Sequence, residues 1–463
     1  MAEPERYDTL IIGSGEGGKY LAWHTAKSGK RVAVVERKLI GGSCPNINCL
    51  PSKNEIWSAK VADFMRHADQ FGSVTGAVGV VMRKVLARKR AMVDGLIATH
   101  LELYKASGAE LIMGVGRFVA PKTVEVDLNA GGKRLLTSDR IVLNLGTHGM
   151  IPDIPGLEAA KPMTNIELLE LDRLPDHLVV VGGGYVGLEL AQAYRRFGAR
   201  VTILETNDRF AAREDSDVAA ELERVFRDEG IEVHLGVSVA RVEGRSGESV
   251  RLQMRSPSGE RTIEGSDILV AVGRAPNTQG MGLDIAGVAL DPRGFIAVND
   301  RLETKAPGVW AIGEGAGSPQ FTHASFDDFR VVRDNIAGGD RSTRGRLVPY
   351  CLFTDPQLGR VGLNETEARE KNIAVRVAKL PMMGVMRART ISETRGFMKA
   401  LVEADGDKIL GFAMVGPEAG EVTAAVQTAM LAGMPYTGLR DAIFTHPTMA
   451  EGLGALFTAV PAR

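Results

Sequence analysis

The sequence predicts an α/β chain with two Rossmann-like dinucleotide-binding domains. Two observations predict it: a glycine-rich strand–turn–helix–strand frame over residues 7–37, and a second such frame over 178–205. A third sets the order. Proline-marked crossovers at 152–155 and near 276 make the second frame an insertion into the first domain.

The first frame reads YDTLIIGSGEGGKYLAWHTAKSGKRVAVVER. The apolar run over 9–12 predicts a buried parallel strand. Gly13, Gly15 and Gly18 then take GxGxxG spacing. A helix is expected to about Ser28, broken by Gly29, and a second strand over 31–35 is closed by Glu36. The first glycine allows the tight turn, the second lets backbone approach a pyrophosphate, and the third lets helix pack on strand. Amides at the helix start bind the phosphate, and Glu36 is expected to accept ribose hydroxyls. The second frame, LVVVGGGYVGLELAQAYRRFGARVTILE, repeats the pattern with Gly182, Gly184, Gly187 and Glu205. A lone GxGxxG is a weak signal; two complete frames, each ending in an acid, are a strong one. A carboxylate repels a 2′-phosphate, so the second site is expected to prefer NADH to NADPH, with Arg209 opposing that preference.

The bulk numbers remove other classes. A length of 463 residues suggests two to four domains. Fifty-six basic residues face fifty-seven acidic ones, for a net charge of -1, so no global field favours nucleic acid or an anionic membrane. There is no apolar run long enough to span a bilayer, and MAEPERYDTL lacks a signal pattern. Three cysteines make no disulfide framework, and a reducing, cytoplasmic setting is expected.

Two of those cysteines lie in GGSCPNINCLPSK, residues 41–53. Cys44 and Cys49 are five apart, and positions i and i+5 of a regular helix lie on different faces, too far apart for a disulfide. A bridge therefore needs a distorted segment. Pro45 and Asn48 are expected to supply it, Asn tolerating positive φ. In a reducing compartment such a pair is more often catalytic than structural, although two buried structural thiols are the plainer alternative. Lys53 falls one turn beyond Cys49, placed to stabilise charge on a reduced flavin, with Glu189 as its natural counter-ion. Near the C-terminus, IFTHPTMAE pairs His446 with Glu451, an acid/base arrangement that thiol exchange requires. Cys351 reads as a buried small hydrophobe, residues 82–95 as a solvated helix face, and Met382, Met383 and Met386 as core. His24 and His148 show no partner in the sequence.

In this order the motifs resemble those of the flavoprotein disulfide reductases. These class I pyridine nucleotide–disulfide oxidoreductases include dihydrolipoamide dehydrogenase, glutathione reductase and mercuric reductase. The resemblance spans essentially the whole chain and rests on GSGEGG (13–18), GGSCPNINCLPSK (41–53), GGGYVGLE (182–189), VGRAPNT (272–278), VWAIGEGAG (309–317) and THPTMAEGL (445–453). It implies an FAD-binding domain over 1–150, an NAD(P)-binding domain over 151–275, a segment over 276–345 completing the FAD domain, and a C-terminal α+β dimerisation domain over 346–463. It further implies that Gly13, Gly15, Gly18, Glu36, Gly42, Ser43 and Lys53 bind FAD. Glu314, Gln320, Phe321, Thr322, His323 and Ala324 are implied flavin contacts. Gly182, Gly184, Gly187, Glu205 and Gly273 are implied to hold NAD(H), or NADP(H) in its place. Cys49 is implied to be the charge-transfer thiol, Cys44 the interchange thiol, and Lys53 and Glu189 a pair near the flavin. His446 and Glu451 are implied to act on the disulfide of the other subunit in a homodimer.

Three positions depart from the family pattern. Asn48 replaces the usual Gly, Glu314 replaces the usual Asp, and the chain ends GALFTAVPAR, without the terminal cysteine pair of mercuric reductases. Residues 318–330 and 391–416 nevertheless look closer to the mercuric-reductase-like branch than to typical dihydrolipoamide dehydrogenases. The expected reaction passes electrons between a nicotinamide and a small disulfide or dithiol, in either direction. The alternatives are a mercuric-ion reductase-like enzyme and a non-catalytic FAD-binding interaction protein. No resident metal, nucleic acid or membrane partner is expected.

Overall fold

In the computed structural model, residues 3–257 and 259–463 are described. They divide into two units. The first comprises Met1–Glu55, Arg83–Met150 and Gly273–Arg346; the second comprises Ile56–Met82, Ile151–Val272 and Leu347–Arg463.

The fold is α/β. Among the described residues, the first unit is built on an eight-stranded sheet. Its parallel part runs in the order Glu110–Ala120, Val32–Glu36, Thr9–Ile12, Ile141–Leu143, Val309–Ala311. Thr9–Ile12 and Val32–Glu36 are buried along their whole length, as strands covered on both faces must be. Side chains alternate between the faces. Leu10, Ile12, Ala33 and Val35 enter one core, and Ile11, Val32 and Val34 the other. The helix Glu16–Lys27 covers the second of these, with Leu21, Ala22, Trp23 and Ala26 packed inward. It ends at a Ser28 cap, and the following strand starts at Val32, one residue later than the pattern predicts.

The second unit holds the second glycine loop. A parallel sheet runs Glu232–His234, Arg200–Leu204, His177–Val181, Asp267–Val270, with the helix Tyr185–Phe197 following the loop. A separate five-stranded antiparallel sheet, in the order Tyr350–Leu352, Gln357–Gly362, Ile409–Gly416, Phe397–Glu403, Val375–Pro381, forms the C-terminal region. Its core includes Phe412, Met414, Leu453, Leu456 and Phe457.

Several local expectations are corrected. The strand expected over 141–145 stops at Leu143, because Asn144 turns its side chain into the glycine loop. Cys351 is half-buried rather than buried, with its sulfur 3.6 Å from the Leu352 carbonyl. Met382 is core, but Met383 and Met386 are exposed. The helix Met82–Ser107 carries exposed Arg83 and Lys84, yet Lys89 is buried at 1% exposure. His148 does have a partner: its Nδ1 lies 2.8 Å from Asn277 Oδ1.

Candidate active site

The first glycine loop is tightly closed. Gly13 has φ +99, and a Cβ there would meet the Asn144 carbonyl at 2.2 Å; one on Gly18 would meet the Gly13 carbonyl at 2.5 Å. Only glycine fits either position. The helix Glu16–Lys27 starts at Gly15 with no side-chain cap. Two of its first-turn amides are met from elsewhere, Gly17 N–H by Ser325 Oγ and Gly18 N–H by Asn144 Oδ1. Glu36 is buried and fully engaged. Its Oε2 accepts from the Ser14 amide and hydroxyl, and its Oε1 accepts from the Lys38 and Leu39 amides. An uncapped helix start behind a loop that admits no side chain fits the pyrophosphate of FAD.

The cysteine segment rests on that loop. Gly41 and Gly42 have φ +86 and +84, and a Cβ on Gly42 would lie 2.5 Å from the Gly15 Cα. Gly42 starts a single helical turn, Ser43–Asn46, which Asn46 closes by donating from Nδ2 to the Gly42 and Ile40 carbonyls. The distortion expected between the cysteines is present, but not at the residue expected. Asn48 is absent from the positive-φ residues; the break is at Ile47, with φ -137 and ψ 0. The Ser43 carbonyl accepts from both Ile47 and Asn48 amides, which widens the turn. A regular helix then begins at Cys49 and runs to Arg66.

Cys44 and Cys49 are both half-buried, one on each side of this break. They share a hydrogen bond, and it splits their acidities. That bond, opposed by burial and helped by Thr322 and the Lys53 ammonium, holds Cys49 down to about 6. The same bond, burial and the Cys49 charge push Cys44 up. Cys49 Sγ lies 3.2 Å from Thr322 Oγ1. Thr322 is the first residue of the helix Thr322–Ile336, whose start at Phe321 has no side-chain cap. A thiolate at a helix N-terminus, with a lysine four residues along its own helix, is the arrangement that stabilises sulfur anions. The neighbouring implied flavin contacts follow in the same chain segment: Gln320 is exposed, Phe321 stacks on His323 with centroids 5.3 Å apart, and Ala324 is buried.

Glu314, an implied flavin contact, also has partners within the protein. Its Oε2 accepts from the Thr147 hydroxyl and, at 3.2 Å, from Arg274 Nε. The carboxylate thus closes a clasp with two protein donors.

In the second unit, Gly182 has φ +113, and a Cβ on Gly187 would meet the Gly182 carbonyl at 2.1 Å. A Cβ on Gly184 would meet nothing within 4 Å, so space opens at the uncapped start of the helix Tyr185–Phe197. That fits a nicotinamide dinucleotide's pyrophosphate. Glu205, like Glu36, is buried and held by its loop: Oε2 by the Gly183 amide, Oε1 by the Thr206 hydroxyl and by Asn207. Glu189 Oε1 accepts from the Phe353 amide, while Lys53 belongs to the first unit. Gly273, also in the first unit, has φ +129, and a Cβ there would meet only the Met150 methyl, at 3.9 Å.

His446 and Glu451 are brought together. Nδ1 lies 2.8 and 3.0 Å from the two carboxylate oxygens, and the His446 side chain is 65% exposed. The carboxylate on Nδ1 fixes the tautomer whose lone pair is on Nε2. Elsewhere in this unit, Asp215, Asp217 and Glu365 have metal-like spacing, but the Lys399 ammonium sits among them at 2.7, 2.7 and 2.8 Å.

Sequence reasoning missed Asn144, Ser325, Arg274 and the half-buried Glu16 with the buried Lys19 and His100. An Asn ending an apolar strand was a readable signal for the first; contacts distant in sequence hid the others.

A family model described as pyridine nucleotide-disulphide oxidoreductase matches residues 7–328, and its dimerisation-domain model matches residues 348–456. The probable pyridine nucleotide-disulfide oxidoreductase RclA of Escherichia coli (strain K12) is 36% identical over 462 residues, 98% of this chain and 99% of that one. A dihydrolipoyl dehydrogenase of Thermus scotoductus is 35% identical, covering 96% of each chain. A mercuric reductase of Shigella flexneri is 36% identical over 96% of this chain and 79% of its own. Among solved structures, the Cu(II) complex of HOCl-induced flavoprotein disulfide reductase RclA from Escherichia coli superposes with a TM-score of 0.89 at 34% identity. It covers 99% of this chain and 100% of the other.

Proposed function

Because the chain belongs to the pyridine nucleotide-disulphide oxidoreductase family, whose members are enzymes using FAD and NAD(P)H, we propose that it reduces a small disulfide at Cys44 and Cys49. When bound, FAD carries two electrons from the nicotinamide to the disulfide. The first glycine loop and the Gly42–Ser43 turn hold FAD, and the Gly182–Gly187 loop holds the nicotinamide dinucleotide. Cys44 thiolate attacks one sulfur of the substrate, forming a mixed disulfide and releasing one thiol. Cys49 thiolate then attacks the Cys44 sulfur, releases the second thiol and restores the Cys44–Cys49 bond. His446, oriented by Glu451, moves the protons at Nε2. With a dithiol substrate the same steps run in reverse.

The observation that carries this reading is geometric: Cys44 lies on the single turn before the helix that Cys49 opens, and Cys49 Sγ lies 3.2 Å from Thr322 Oγ1 at an uncapped helix start. A homodimer completes it. Exposed apolar side chains in the second unit support such an interface: Trp57, Val61, Phe64 and Met65 along one helix, and Leu431, Met434 and Ile443 in the C-terminal region. A second reading, reduction of a soft metal ion at the same thiols, is favoured by the Cu(II) complex and mercuric reductase among the similar proteins.

The test is a turnover screen of lipoamide, glutathione disulfide, mercuric ion and cupric ion, each with NADH and NADPH. Disulfide turnover abolished by Cys44→Ser supports the first reading. Metal-stimulated oxidation of the nicotinamide without disulfide turnover supports the second, and turnover unchanged in Cys44→Ser refutes both.

A further inference from the structure

Cys44 has a carboxylate neighbour that the thiol chemistry leaves unused. Glu16 follows Gly15 and opens the helix Glu16–Lys27. Since a Cβ on Gly42 would strike the Gly15 Cα at 2.5 Å, the cysteine turn and the glycine loop touch there. Glu16 lies one residue past that contact on one side, and Cys44 two residues past it on the other.

Glu16 is fixed from below. Its Oε2 accepts from Lys19 Nζ at 2.7 Å, and Lys19 Nζ also lies 3.1 Å from His100 Nε2. His100 is buried, stacks on Trp23 with centroids 5.9 Å apart, and lies under Gly41, where a Cβ would come within 2.7 Å of Nδ1. Burial, and then the Lys19 charge, lower its pKa to about 4, so the imidazole is neutral and accepts from the ammonium. The Lys19 side chain is 5% exposed and that of Glu16 18%, so the carboxylate is the more accessible member of the pair. Glu16 also adds to the upward push on Cys44, behind the hydrogen bond to Cys49, burial and the Cys49 charge.

We propose that Glu16 is a specificity-determining residue at Cys44, disfavouring anionic disulfides and favouring cationic or uncharged sulfur and metal-ion substrates. The inference rests on the reading of Cys44 as the thiol that meets substrate. The carboxylate is placed where a substrate's own charge is felt, and opposite or like charge near a reacting thiol changes encounter and binding.

An isosteric reagent pair tests it without turnover. Holoenzyme reduced anaerobically with NADH is alkylated with iodoacetamide, which is neutral, or iodoacetate, which is anionic. In each case the Cys44 thiolate displaces iodide and gains one S–C bond. The labelled cysteine is mapped by mass spectrometry, and both rates are normalised to a small free thiol. A change in the fraction of thiolate affects both reagents equally and cancels from their ratio. The wild type is expected to discriminate against iodoacetate. Glu16→Gln narrows that discrimination by about three- to tenfold, and Glu16→Asp retains it. Flavin content and melting temperature confirm that the variants fold. An unchanged ratio in Glu16→Gln overturns the inference while leaving the role of Cys44 intact. Alkylation at Cys49 with Cys44 unlabelled overturns the role of Cys44 and the inference with it.

Discussion

Cys49 Sγ lies 3.2 Å from the hydroxyl of Thr322, a residue 273 positions away in the chain. The contact joins the start of the cysteine helix to the start of a second helix, and it favours the ionised sulfur. Replacing Thr322 by Val removes the hydroxyl and keeps the shape. The Cys49 pKa is then expected to rise from about 6. A rise of about one unit corresponds to roughly 1.4 kcal/mol. A pH titration of thiolate absorbance in the reduced enzyme checks this; overlapping curves for variant and wild type would refute it.

His446 is expected to matter for one half of the reaction only. His446→Gln lowers steady-state turnover by about 10²- to 10⁴-fold, the usual worth of a positioned acid/base. Reduction of the flavin by NADH, followed by stopped flow, stays at the wild-type rate. Glu451→Gln keeps the histidine but loosens its orientation, and its loss is smaller. Slow flavin reduction in His446→Gln would show the imidazole acting elsewhere.

His100 makes stability depend on pH. Its pKa of about 4 in the folded chain lies below that of an exposed histidine. An unfolded histidine takes its proton near 6.5, so between about 6.5 and 4 the unfolded chain binds a proton that the folded chain does not. The contribution is fully present above about pH 6.5 and is lost progressively as the pH falls toward 4. His100→Gln removes this part of the slope. Denaturation midpoints measured across the window are expected to converge for the two proteins at its acid end, and parallel curves would contradict the assignment.

Lys399 is buried with three carboxylates around it. Lys399→Met leaves Asp215, Asp217 and Glu365 without their shared cation. Breaking a buried charge cluster from one side costs about 3–5 kcal/mol. Denaturant unfolding measures the loss. A cost below about 1 kcal/mol, the range of exposed ion pairs, would mean the cluster is solvated.

The features legible in the sequence are those that local physics enforces. Gly13 and Gly182 were readable because a phosphate turn needs positive φ there, and both have it. The strands Thr9–Ile12 and His177–Val181 were readable as short apolar runs, buried on both faces. His446 and Glu451 were readable because five residues separate them and a turn brings them together. What was not legible involved competition or distance. Asn48 was the natural candidate for a strained backbone, but an extra bond from its amide to Ser43 put the distortion at Ile47 instead. Glu36 and Glu205 carry local amide partners that a motif does not reveal. Glu314, one methylene longer than the family's Asp, reaches Arg274 and Thr147. Lys19 and His100 meet across 81 residues, and Lys89 is buried inside a stretch that reads as a solvated face.

The most direct measurement of the central claim is the absorption spectrum of the anaerobic, NADH-reduced enzyme in Cys44→Ser and Cys49→Ser. The account predicts a long-wavelength band from thiolate to flavin that survives in Cys44→Ser and is absent in Cys49→Ser. Identical spectra in the two variants, or a protein that binds no flavin, would contradict it.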